Sequence, residues 1–178
     1  MITKENFEID YSESSIQDLE EIIALEHKVQ ERLKEEGHKD WFYGYSRDEY
    51  PDYINNGGRI YSAKFNNKIV SCLGLMQKYK WNPSYLASEK IIKRKYNISE
   101  ENTLIVDFYF TDPEFRGNHL TKNLFNKFYL NYNNIEYIIA LAHNDNTCSN
   151  KILKSLGCNI FDTVTIRNNL LRNIYINK

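Results

Sequence analysis

Hydrophobic and polar positions change period several times along this chain, and each change marks an element. Phe7 to Tyr11 alternates, which predicts a first strand. Ile16, Leu19, Ile22, Ile23, Leu25 and Val29 then recur at helical spacing. Ser14 or Ser15 can cap that helix, Asp18 and Glu20 sit in its first turn, and Gly37 ends it. Trp41-Phe42-Tyr43-Gly44-Tyr45 has no clear period. Ser46-Arg47-Asp48-Glu49 opens a second short helix to about Ile54, which Asn55-Asn56-Gly57-Gly58 stops. Arg59 to Phe65 and Lys68 to Met76 read as strands joined by the two-residue loop Asn66-Asn67. Residues 78–102 are too many for a hairpin loop, and Pro83-Ser84 predicts a helix there through about Tyr96. Leu104 to Phe110 is a strand of β-branched and aromatic residues, broken by Asp112-Pro113. After Arg116-Gly117-Asn118, the spacing of Leu120, Leu124, Phe125 and Phe128 predicts a helix. Tyr137 to Ala142 is an apolar strand, followed by the polar loop His143-Asn144-Asp145-Asn146. Thr147 to Leu156 is a helix ended by Gly157. Asn159 to Ile166 and Leu170 to Ile176 alternate around Arg167-Asn168-Asn169, a closing hairpin.

This order of strands and helices predicts one α/β or α+β domain, residues 1–178, built on a single sheet. Its 178 residues suit a domain with a sizeable core. With 23 basic against 24 acidic side chains, charge offers no reason to expect nucleic acid or an anionic membrane as partner. No apolar run reaches about 18 residues, so no transmembrane helix is expected. The first residues lack a signal-peptide pattern. Cys72, Cys148 and Cys158 are odd in number and lack CxxC spacing. Reduced thiols in a cytoplasmic protein, with no metal site, are the expectation. Lys90, Lys93, Arg94 and Lys95 make the segment at 78–102 basic, either as a solvated helix face or as a lid that attracts an acidic group.

The chemistry concentrates between Val106 and Thr121. A strand, a short polar loop with a glycine, and a helix follow one another, which presents backbone N–H groups at a positive helix N-terminus and suits phosphate or pyrophosphate. The run Asp112-Pro113-Glu114-Phe115-Arg116-Gly117-Asn118 resembles the acetyl-CoA loop of the GNAT superfamily of N-acetyltransferases. Arg116 falls on the first position of that family's Gln/Arg-x-x-Gly-x-Gly/Ala pattern. His119 stands where the first glycine is usual, and Thr121 where glycine or alanine is. A second run, from Asn146 through Ser149, Leu153 and Leu156 to Gly157, resembles the family's late helix motif. The element order matches as well, with residues 78–102 as an extra segment. The resemblance implies the GNAT fold, a mixed and mostly antiparallel sheet of about seven strands flanked by about four helices.

It also implies a function. An amine would attack the thioester of acetyl-CoA directly in a ternary complex. The cofactor-binding residues would be Phe110, Thr111, Arg116, Gly117, Asn118, His119, Leu120, Thr121, Asn146 and Ser149. The strand of Phe110 and Thr111 should splay from that of Leu141, so that a backbone N–H near Phe110 or Thr111 steadies the thioester carbonyl. Asp107, the acid of that strand, is the candidate base, and its pKa should rise if buried; otherwise it is a structural partner. His143 is the second candidate. The tyrosine that many relatives use as proton donor is Leu153 here. A branch that acetylates protein N-termini also has an aliphatic residue there, with the serine at Ser149. Trp41, Phe42, Tyr43 and Tyr45 form either an acceptor slot or core. The acceptor is a small-molecule amine, amino acid, aminoglycoside-like antibiotic or peptide N-terminus, and the protein a monomer or homodimer. The competing reading is a GNAT-fold module that binds CoA or a partner protein without turnover.

Overall fold

The computed structural model describes residues 8–42, 44–166 and 169–178. Seven strands form one sheet in the order β1-β2-β3-β4-β5-β7-β6. They are β1 (Asp10–Glu13), β2 (Arg59–Phe65), β3 (Lys68–Met76), β4 (Thr103–Thr111), β5 (Tyr137–His143), β6 (Asn159–Ile166) and β7 (Leu170–Asn177). Every neighbouring pair is antiparallel except β4 and β5. The helices are α1 (Leu19–Glu35), α2 (Glu49–Asn55), α3 (Pro83–Ile92), α4 (Leu120–Phe128) and α5 (Thr147–Ser155), with short 3-10 turns at Ile16–Asp18, Pro113–Phe115 and Tyr129–Asn131.

Two apolar layers sandwich the sheet. On one face α1, α2 and α3 bury Ile22, Tyr50, Tyr53, Tyr85 and Ile92 against Phe108, Phe110 and Ile174. On the other, α4 and α5 bury Leu120, Leu124, Phe125 and Leu153 against Leu73, Val106 and Tyr175. Alternation along each strand therefore decides which face a side chain serves.

Most boundaries fall within one to three residues of the sequence expectation, and the departures have local causes. β1 begins at Asp10 because its extent follows its pairing, from Asp10↔Lys64 to Glu13↔Tyr61; Phe7 lies outside the described residues. Ser15 caps the first helical segment, its N–H donating to Asp18 at 2.7 Å. That segment begins as a 3-10 turn, which swings Ile16 out of the apolar stripe and leaves it 58% exposed. α2 starts at Glu49, since Ser46 and Glu49 close a turn onto each other at 2.8 and 3.0 Å. α3 ends at Ile92, short of Tyr96. Asn66 and Asn67 both take positive φ, 49° and 61°, which suits the twist of a two-residue hairpin. Arg167 and Asn168 of the closing hairpin lie outside the described residues.

Candidate active site

One interruption of the sheet makes the site. β4 and β5 pair from Thr103↔Tyr137 to Val106↔Ala140. Beyond that, β4 runs on to Thr111 against β3 and β5 runs on to His143 against β7. The strands part at Asp107, as expected of the strands carrying Phe110 and Leu141. The β3–β4 ladder slips at the same level. Leu75 faces Val106 and Gly74 faces Phe108, so Asp107 is the extra residue of a bulge.

Amide directions follow from two hydrogen bonds. The Asp112 N–H donates to the Val70 carbonyl at 2.9 Å, and the Phe110 carbonyl accepts the Ser71 hydroxyl at 3.1 Å. Asp112 and Phe110 thus turn their peptide groups toward β3, and alternation turns those of Tyr109 and Thr111 into the gap. Tyr109 therefore replaces Phe110 beside Thr111 as an amide facing the opening.

Asp107 lies half-buried at this point and accepts the Tyr45 hydroxyl at 2.6 Å. The Asn82 amide in turn donates to Tyr45 at 3.2 Å. Burial pushes the Asp107 carboxyl up to about 6, against the opposing pull of hydrogen bonds from Tyr45 and Tyr85. A cavity of about 120 Å³ opens over it. Trp41, Phe42 and Tyr45 form one wall. Phe42 and Tyr45 serve as core at the same time: Phe42 packs 5.4 Å from Phe110, and Tyr45 packs 5.8 Å from Phe108, whereas Trp41 stacks on His38. Tyr43 lies outside the described residues. Trp81, Asn82, Ser84 and Tyr85, from the segment at 78–102, form a second wall. Sequence reasoning missed them, because it weighed that segment by its charges. Lys90, Lys93, Arg94 and Lys95 are exposed and none lines the cavity; Lys93 pairs with Glu89 at 3.0 Å.

The loop after β4 is built to leave amides open. Asp112 caps a 3-10 turn, accepting the Glu114 N–H at 3.0 Å. Gly117 has φ +86° and His119 has φ +57°, so the chain makes two left-handed steps before α4. The Asn123 N–H donates to the His119 carbonyl at 3.0 Å. Among the described residues, the N–H groups from Arg116 to Lys122 donate to no protein acceptor outside α4. A Cβ at Gly117 would meet nothing within 4 Å. These are the conditions a pyrophosphate needs. Arg116 is held by Glu36 at 3.2 Å, and Glu36 also takes Arg32 at 2.8 Å. The Asn118 side chain donates to the Phe115 carbonyl at 3.0 Å. Thr121 is buried, its hydroxyl 3.4 Å from that of Thr111, and Leu120 is core.

His119 is exposed and left-handed without glycine's freedom. His119→Gly is expected to stabilise the fold by about 1 kcal/mol. The check is urea unfolding, where the midpoint should rise with an unchanged slope.

On α5, Asn146 is 8% exposed and accepts the Ser149 N–H at 2.9 Å, so its side chain serves as the helix cap. Gly157, at φ +79°, ends the helix, with the Cys158 N–H returning to the Leu153 carbonyl at 3.0 Å. Leu153 is fully buried and brings no proton donor. The Tyr109 hydroxyl reaches the same helix, donating to the Ser149 carbonyl at 3.4 Å, and burial pushes its pKa up. Ser149 lines the cavity. His143 stands apart. Its Nδ1 accepts the Asp145 N–H at 3.2 Å, and it is not among the cavity-lining residues. Among the described residues, no group of His, Cys, Asp and Glu is arranged to hold a metal ion, and no helix is long and apolar enough to cross a membrane.

No protein-family model and no curated protein matches the sequence. Solved structures do match in shape. The acetyltransferase of the GNAT family from Streptococcus pneumoniae is 13% identical at a TM-score of 0.64, over 96% of this chain and 98% of that one. The ribosomal-protein-S18-alanine N-acetyltransferase from Escherichia coli is 10% identical at 0.66, over 94% and 92%. yncA from Salmonella typhimurium, solved with its cofactor acetyl-CoA, is 11% identical at 0.63, over 96% and 93%. With a seven-stranded mixed sheet that parts between its two parallel strands, this chain has the fold of the GNAT N-acetyltransferases.

Proposed function

We propose that this protein is an N-acetyltransferase that passes the acetyl group of acetyl-CoA directly to the primary amine of a small molecule or a peptide N-terminus. The observation that carries this reading is the parting of β4 and β5 at the bulge that holds Asp107. The chain's residues fit the cofactor. The amides from Arg116 to Lys122 would take the pyrophosphate, and the gap between the strands would take the pantetheine arm. Bound acetyl-CoA supplies an activated thioester. The Tyr109 and Thr111 amides donate to its carbonyl as negative charge develops there. Asp107 takes the proton of the incoming ammonium, directly or through water. The Tyr109 hydroxyl, kept protonated by burial, would give up its bond to the Ser149 carbonyl to donate instead to the departing sulfur, a role Leu153 leaves open.

The competing reading, a module that binds without turnover, draws on His119, Thr121 and Leu153. A double variant tests the cofactor placement. Arg116→Glu reverses the charge at the loop, and Gly117→Pro cannot adopt φ +86°. Calorimetric titration with acetyl-CoA should show binding by the native chain and none by the variant. Equal affinity in both would overturn the placement. Binding without thiol release across an amine panel would favour the module.

A further inference from the structure

Arg172 has no part in the chemistry above, yet it lines the same cavity. It is 4% exposed. It lies on β7 opposite His143 of β5 and Val164 of β6. Alternation sets it on the face that holds Ile174, beyond the level at which β4 and β5 part. Its guanidinium donates to the Asp40 carbonyl at 2.7 Å and to the Leu171 carbonyl at 3.2 Å. Those bonds use part of a five-donor fork, and both acceptors are neutral. Among the described residues no carboxylate pairs with Arg172. The Asp40 charge also acts on Arg172, without forming an ion pair with it, so the buried guanidinium lacks a contacting anion, which is costly. Trp81, on the cavity's other wall, adds a second unmet donor. Among the described residues its buried indole N–H has no partner, where such groups are nearly always bonded.

We infer that the acceptor is an amine that also carries a carboxylate, such as a free amino acid with an apolar side chain, its carboxylate held by the Arg172 guanidinium. This rests on the transfer reading and narrows its substrate class. The cavity then has two poles. Asp107 and the strand gap receive the amine, Arg172 receives the carboxylate with fork geometry, and Trp41, Phe42 and Tyr45 receive the apolar body. Glu49 also lines the cavity, but the Ser46 N–H donates to it at 2.8 Å.

Matched acceptors decide the matter: phenylalanine against phenylalaninamide, with thiol release as readout. The native enzyme should prefer the acid, and Arg172→Gln should raise KM for the acid by about tenfold to a hundredfold while leaving the amide unchanged. Arg172→Lys should keep part of the preference. Because Arg172 also tethers Asp40, each variant is first compared with the native chain by circular dichroism and melting temperature. No preference in the native enzyme, or an equal loss for both acceptors in a folded variant, would overturn the assignment while leaving acetyl transfer standing. Where neither amine is turned over, calorimetry with phenylacetate against phenylacetamide takes over. Arg172-dependent binding of the acid alone would uphold the carboxylate pole as transfer fails, and binding of neither would overturn it.

Discussion

Replacing Asp107 by asparagine is expected to lower kcat by about a hundredfold or more, the usual contribution of a positioned general base, and to leave acetyl-CoA affinity unchanged. The argument is geometric before it is electrostatic. The bulge makes Asp107 the residue at which β4 leaves β5, so its carboxyl stands where an amine would approach a thioester in the gap. Burial then pushes that carboxyl up to about 6, close enough to neutrality to hold and release a proton. A base works when deprotonated. The native rate should therefore climb as pH rises through about 6 and level off above it, and the asparagine variant should lose that limb. Tyr45→Phe supplies the companion experiment. The Tyr45 hydroxyl donates to Asp107 at 2.6 Å and pulls its pKa down, so its removal should move the limb to higher pH. An unchanged limb in Asp107→Asn would remove this carboxyl from the mechanism and leave it as the partner of Tyr45.

Much of this architecture is legible in the sequence because the signals are local. Asn66-Asn67 fixes a hairpin by its own backbone preferences. Asp112-Pro113 ends β4 whatever surrounds it, and Gly157 ends α5. The loop of open amides after β4 is legible for the same reason, and so is the left-handed step at His119. Long-range pairing hides what the sequence leaves out. Nothing in Leu104 to Phe110 announces that Asp107 is skipped in the ladder, since a bulge is a relation between two strands. A bulge also shifts which amides face the gap, so Tyr109 takes the place expected of Phe110. Arg172 sits in an alternating strand that reads as half of a closing hairpin. Its neighbours in space, Asp40 and Trp41, lie more than a hundred residues away in the chain. Trp81 and Tyr85 were masked by the charges that follow them. The helix pattern there locates α3 but does not say which side meets the cavity.

The second large effect concerns stability, and its origin is Glu26. This residue is 1% exposed in the middle of α1. The Tyr50 hydroxyl and the Gln30 amide donate to it, the latter at 3.1 Å. The loop carrying Tyr45 crosses directly over the carboxyl: a Cβ added at Gly44 would fall 1.4 Å from its Oε1. Burial pushes the Glu26 pKa up from 4.5 to about 7, opposed by the Tyr50 bond and helped by the nearby Glu49 charge. The folded state therefore holds this proton more tightly than the unfolded chain does. The resulting stability is fully present below pH 4.5 and is lost as pH rises through about 7. Its size is about 3 kcal/mol, or roughly 6–12 °C in melting temperature for a domain of this length. Asp107 adds a smaller contribution of the same sign, lost between pH 3.8 and about 6, so the Glu26 part is read by difference. Glu26→Gln keeps the shape and removes the charge. It should match the native chain near pH 4.5 and exceed its stability by about 3 kcal/mol at pH 8. Stability curves that stay parallel from pH 4.5 to 8 would mean that Glu26 keeps its charge in the fold, sustained by Tyr50 and Gln30. The outcome bears on the site as well, because the loop over Glu26 is the one that aims Tyr45 at Asp107. A charge forced into that layer at high pH loosens the hydrogen bond that tunes the base, so in Glu26→Gln the rate plateau above pH 7 should extend further into the alkaline range than in the native enzyme.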